Sequence, residues 1–115
     1  MKAIPKSLLI HNVNMYKDED KDKWGKAKAE ESLNTVIRFV RFEPSSKIVR
    51  TVNNAEIQLS ATLIYDCRNS RPKNIKFGLD DIITFNGEKH RIQLIEPLYD
   101  GEKLHHIEIG LVAQI

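Results

Sequence analysis

The chain is poor in the residues that carry recognisable chemistry. A single cysteine, Cys67, rules out an internal disulfide and makes a reducing compartment the simplest expectation for folding. Five scattered glycines exclude a glycine-rich phosphate loop. No apolar run approaches the roughly 20 residues of a membrane-spanning helix. The start, "MKAIPKSLLIHNV", lacks the long apolar stretch and small-residue cleavage site of a secretory signal. A soluble chain made in a cytoplasm, with no membrane partner, is therefore expected. A dominant charge of one sign is missing too. Eighteen basic against 16 acidic side chains leave a net charge of +2, too near neutral for general affinity to nucleic acid or membranes.

What is present is a chain of ordinary globular balance, 41% hydrophobic and 30% charged over 115 residues. That length predicts one domain, residues 1–115, able to bury roughly two-thirds of its unfolded surface without metal or disulfide staples.

Period-two alternation is the dominant pattern. In "AEIQLSATLIY" the residues Ile57, Leu59, Ala61, Leu63 and Tyr65 alternate with a mostly polar set, predicting one strand with one buried face. Residues 81–112 predict a three-stranded antiparallel meander. Asn86-Gly87 supplies its first reversal, since both central positions of a type I′ turn need positive φ. Asp100-Gly101 marks the second, and Glu96-Pro97 before it predicts a longer, less regular connection. "SLLIHNVNMY" and "TVIRFVRFE" read as strands, and "SKIVRTVNNA" as a short strand closed by Asn53-Asn54. Pro72 makes the segment between Cys67 and Asp80 a connection. About seven short strands imply a mainly-β fold, a small antiparallel barrel or sandwich.

One stretch resists this pattern. "YKDEDKDKWGKAKAEE" holds five lysines and six acids around the only tryptophan, Trp24. Charges at that density cannot be buried together. Residues 17–34 are therefore expected to form a charged arm that projects into solvent or meets a partner, as helix or ribbon.

Constellations that would imply chemistry fail on spacing. Asp18, Asp20 and Asp22 have the opening spacing of a calcium loop, but Lys23 and Ala29 stand where the turn glycine and closing glutamate belong. His105 and His106, adjacent on a strand, should point to opposite faces. His90 with His106 and Glu108 forms a conceivable metal set, outweighed by an ordinary polar face. Cys67 lacks a base, although Arg68 beside it would lower its pKa. Neither a catalytic residue nor a cofactor is expected. Arg68, Arg71, Lys73 and Lys76 form an acid-free basic run suited to phosphate backbone or to acidic protein surface. "RFVRF" mixes arginine and phenylalanine, but alternation sets Phe39 with Arg41 on one face and Arg38 with Phe42 on the other.

Taken in order, "IPKSLLIHNV", "DKWG", "VRFEPS", "LIYDCRNSRP" and "FNGEKHRIQLIEPLYDGEKLHHIEIGLV" resemble the minor capsid proteins of tailed phages and prophages of Gram-positive bacteria. The C-terminal pattern is also similar to that of head-tail joining proteins. The resemblance implies a small β-barrel of the head-tail connector, a head-completion or stopper-like protein made in the host cytoplasm and placed in the virion. It implies a ring of identical copies below the portal, with portal or adaptor and tail-completion proteins as partners. Direct, sequence-independent contact with packaged double-stranded DNA belongs to the same expectation. One departure is "KAKAEESLN", more helical than the extended segment expected after the tryptophan-glycine pair. In this setting Asp18, Asp20, Asp22, Trp24, Lys26 and Lys28 become the expected interface: rim charges set register and the indole supplies buried area. The alternative from another class is a small OB-like nucleic-acid-binding module.

Overall fold

The computed structural model describes residues 2–17, 35–51 and 53–114. Among them are eight strands: β1 (His11–Tyr16), β2 (Thr35–Pro44), β3 (Ile48–Arg50), β4 (Glu56–Gln58), β5 (Ala61–Asp66), β6 (Ile82–Phe85), β7 (Glu88–Asp100) and β8 (Lys103–Ala113). Six close into an antiparallel barrel in the order β1-β2-β5-β8-β7-β6, with β6 returning to β1. The expected mainly-β fold is present, as a barrel. Closure leaves no open edge around the ring, which a sandwich would have had to protect.

The alternating apolar residues fill the interior. Val13 and Met15 of β1 meet Ile37 and Val40 of β2, Ala61, Leu63 and Tyr65 of β5, and Ile109 and Leu111 of β8. Phe42 stacks on Phe85 with centroids 4.3 Å apart, and His90 meets Phe42 edge-on. From the connection after β5, Ile75 and Phe77 pack onto the same core, Phe77 edge-on to Tyr65.

The C-terminal meander is as expected, and Asn86 and Gly87 have φ of 51° and 79°, the type I′ signature. The second connection differs from expectation. It is tight, with Asp100 paired to Lys103, and β7 runs straight through Pro97. Proline is tolerated there because β6 pairs only with residues 88–91, so position 97 has β8 as its one neighbour.

Three further expectations need correction. The run 56–65 is not one strand, because β4 leaves the barrel to pair with β3. Leu59 is buried, but against the outer wall under this ribbon, where Gly110 leaves room for its methyl groups. The first strand begins only at His11, since a 3-10 turn over Lys6–Leu8 precedes it. In β2 the register shifts between the partners of His11 and Val13, and Phe39 takes φ of 58°. That bulge breaks simple alternation: Ile37, Val40 and Phe42 turn inward while Phe39 stays on the surface, with the Lys6 ammonium 4.6 Å from its ring centre.

Candidate interaction surface

The basic run lies in a connection held by a buried polar cluster. The Asp66 carboxylate, fully buried at the end of β5, accepts backbone N–H groups from Asn69 at 2.8 Å and from Arg68 and Ile4 at 3.2 Å. Ser70 Oγ accepts the Asp66 N–H at 2.9 Å and donates to the Phe39 carbonyl. Arg38 and Arg71 exchange both backbone hydrogen bonds, at 2.7 and 3.0 Å. The Tyr65 hydroxyl donates to the Pro72 carbonyl. An aspartate followed three and four residues later by Asn69 and Ser70 is a side-chain-capped turn. That local signal in "DCRNS" would have marked Asp66 and Ser70 as anchors.

This frame sorts the four basic residues. Arg71 Nη1 donates to the carbonyls of Arg68 and Ser70 at 2.7 and 2.8 Å, so its guanidinium closes its own loop. Lys76 stands apart, its carbonyl accepting Lys17 Nζ at 3.0 Å. Arg68 and Lys73 come together, sharing a recess of about 410 Å³ with Lys103, His105, Asp100 and Cys67. Lys103 joins them from the β7–β8 turn, a position that sequence spacing does not connect to residue 68.

Cys67 does not match the expected lowering. Burial and then the Asp66 charge push its thiol above the ordinary value, which disfavours a nucleophilic role. The conceivable metal set also comes apart. His90 is buried, paired with Ile83 and Ala113, whereas His106 pairs with Asp66 and Leu98. No group of three candidate ligands forms among the described residues. His105 and His106, expected on opposite faces, instead touch through their Nδ1 atoms at 2.8 Å. A register shift opposite Leu98 and Tyr99 leaves His105 unpaired in a bulge, which rotates it toward its neighbour.

The expected interface residues Asp18, Asp20, Asp22, Trp24, Lys26 and Lys28 lie outside the described residues, as does the calcium-loop spacing. What is described is the base of their segment. Met15 and Thr35 are direct cross-strand partners. Beyond Met15, Lys17 Nζ meets the buried Asp81 carboxylate at 2.7 Å, and Asp81 also accepts the Gly78 N–H at 2.8 Å. At another place the β7–β8 ribbon runs past β6 and exposes Leu98, Tyr99 and Leu104. Among the described residues, the exposed apolar tip of the β7–β8 ribbon and the cationic recess are the features suited to contact.

A family model described as minor capsid protein matches residues 5–111. No curated protein matches the chain. The match runs from the N-terminal 3-10 turn almost to the end of β8, taking in the whole barrel and the segment between β1 and β2. The chain therefore belongs to the minor capsid protein family and is a structural protein of the phage virion.

Proposed function

We propose that this protein works at the head-tail connector, as a ring of identical copies at the portal vertex that helps to retain packaged DNA and offers the tail a docking surface. The family match supports a structural head protein. The observation that carries the finer reading is the pairing of Met15 with Thr35. The chain leaves the barrel after Lys17 and re-enters at Thr35, across from Met15, and the barrel closes without the residues between; the charges and Trp24 that the sequence places there are the proposed contacts with neighbouring subunits. Stable contacts of this kind take on the order of 800 Å² per partner.

The recess holding Arg68, Lys73 and Lys103 brings together positive charge suited to a phosphate backbone or to an acidic portal surface. Joining Lys17 to Thr35 through Asn-Gly tests the first part. The shortened protein is expected to keep the β spectrum and thermal transition of the parent while failing to complete heads. Normal head completion by that variant would overturn the arm's role. Arg68→Glu with Lys73→Glu tests the second part: loss of packaged DNA indicates a phosphate contact, and retained DNA with lost tail attachment indicates a protein contact.

A further inference from the structure

The bulge in β8 sets three hydrogen-bonding contacts in a row. His105 Nε2 lies 2.6 Å from the carbonyl of Lys2, His105 Nδ1 lies 2.8 Å from His106 Nδ1, and His106 Nε2 lies 3.1 Å from Glu108 Oε2. The two rings meet nearly edge to face, at 82°.

Counting hydrogens decides what this row is. A carbonyl and an ionised carboxylate only accept, so His105 Nε2 and His106 Nε2 must each carry hydrogen. The contact between the two Nδ1 atoms needs a third. Two neutral imidazoles bring only two. We propose that the row is a proton-binding site: it takes up one proton, held between His106 and Glu108, and that proton seats the N-terminal segment on β8.

With the proton bound, His106 is an imidazolium donating to His105 from Nδ1 and to Glu108 from Nε2. His105 then donates from Nε2 to Lys2, and every contact is satisfied. Without it, one contact sets two lone pairs face to face. The carboxylate keeps its hydrogen, because bonds to a charged acceptor are the stronger. His106 Nδ1 is then bare, and His105 turns its own hydrogen from Nε2 to Nδ1 to fill that gap. Both rings are held on β8, and the bare His105 Nε2 now faces the Lys2 carbonyl, acceptor to acceptor. The contact that fails is therefore His105 to Lys2. Because the seated form holds one more proton, seating strengthens as pH falls and is lost as pH rises.

Charges from every neighbouring element bear on the row. Asp66 of β5 pairs with His106 and Glu96 of β7 pairs with Glu108, while Asp100 shares the recess beside His105. These acids favour proton uptake, Glu96 most directly as a like charge across from Glu108. Arg68, Lys73 and Lys103 around the recess, and Lys47 beside Glu96 and Glu108, oppose it. Ala3 borders that recess, so release of Lys2 opens the surface carrying Arg68 and Lys73.

Backbone 15N relaxation on the full chain, from about pH 5 to 8 where imidazoles change charge, reads the seating directly. The Ala3 order parameter is expected to fall from about 0.85 to below about 0.6 as pH rises. Ile4, whose N–H donates to Asp66, is the control and stays rigid. Glu108→Gln offers an amide hydrogen to His106 Nε2 and closes the count with two neutral rings, so Ala3 should stay rigid throughout. His106→Phe removes the bare nitrogen that draws the His105 hydrogen to Nδ1, so His105 keeps it on Nε2 and Ala3 should stay rigid at every pH. Ring 15N spectra should show both His106 nitrogens protonated in the seated form. An Ala3 signal that does not change with pH in the parent, a Glu108→Gln variant that follows the parent, an Ala3 that loosens with rising pH in His106→Phe, or a neutral His106 at pH 5 would each overturn the assignment.

Discussion

Asp66 accepts the backbone N–H of Ile4 at 3.2 Å, across 62 residues of sequence. Through that carboxylate the end of β5, the basic connection and the N-terminal segment become one unit. The N-terminal segment also lines one groove with Ile64, an apolar residue that alternation places on the outer wall.

Asp66→Ala should therefore cost far more than a surface change. It leaves the N–H groups of Ile4, Arg68 and Asn69 without their acceptor, each lost partner costing about 1–3 kcal/mol where water cannot replace it. A loss of about 3 kcal/mol or more in urea unfolding is expected. A loss under about 0.5 kcal/mol would show that water reaches these groups freely.

Gly110 is the point where the β3–β4 ribbon touches the barrel wall. A Cβ there would sit 3.0 Å from both Leu59 methyl carbons and 3.1 Å from Leu94 Cβ. Gly110→Ala should destabilise by about 1–3 kcal/mol through overpacking. In the background of Leu59→Ala the same change should cost much less, since the obstructing methyls are gone. Equal costs in both backgrounds would mean that the ribbon does not pack on residue 110.

Lys17 meets a carboxylate that is almost wholly buried, Asp81, 1% exposed. Removing the ammonium in Lys17→Met leaves that charge compensated by the Gly78 N–H alone among the described contacts. Because Lys17 itself is partly exposed, water offsets some of the loss, and a cost of about 1–3 kcal/mol is expected. A double-mutant cycle with Asp81→Asn should return a favourable coupling; zero coupling would dismiss the pair as a structural anchor.

The Tyr65 hydroxyl and the Cys67 thiol both titrate above their ordinary values, burial being the first cause in each; next come the neighbouring Cys67 for Tyr65 and Asp66 for Cys67. Raised values in the folded state mean that folding favours the protonated forms. The stabilising effect of Cys67 is present below the ordinary thiol value of about 8.5 and declines as pH rises beyond it, whereas that of Tyr65 is present up to the ordinary phenol value of about 10 and declines only above that. Urea midpoints should fall between pH 7 and 10, and Cys67→Ala should flatten that fall. An unchanged midpoint at pH 10 would contradict the burial of the Cys67 thiol.

Much of the meander was legible because hairpin geometry is local. Asn86-Gly87 sets its own turn, alternation assigns Ile109 and Leu111 to the core, and the common face of His106 and Glu108 follows from period two. The positions that escaped are those where period two fails. At Phe39 and His105 the register slips by one residue, and whether a slip is tolerated depends on the partner strand. Leu59 was rightly expected to be buried, yet on the other side of the wall, because β4 pairs with β3 instead of continuing into β5.

From its residues alone the chain is committed to short alternating strands, tight polar turns and a charged segment that no core can accept, because side-chain periodicity and the cost of burying charge act locally. Tertiary structure decided the rest. Barrel closure chose the strand neighbours, the bulge in β8 brought His105 against His106, and the pairing of β5 with β8 set Arg68 and Lys73 near Lys103. Those groups are near one another only because distant strands hydrogen-bond in one register, and that register belongs to the whole sheet.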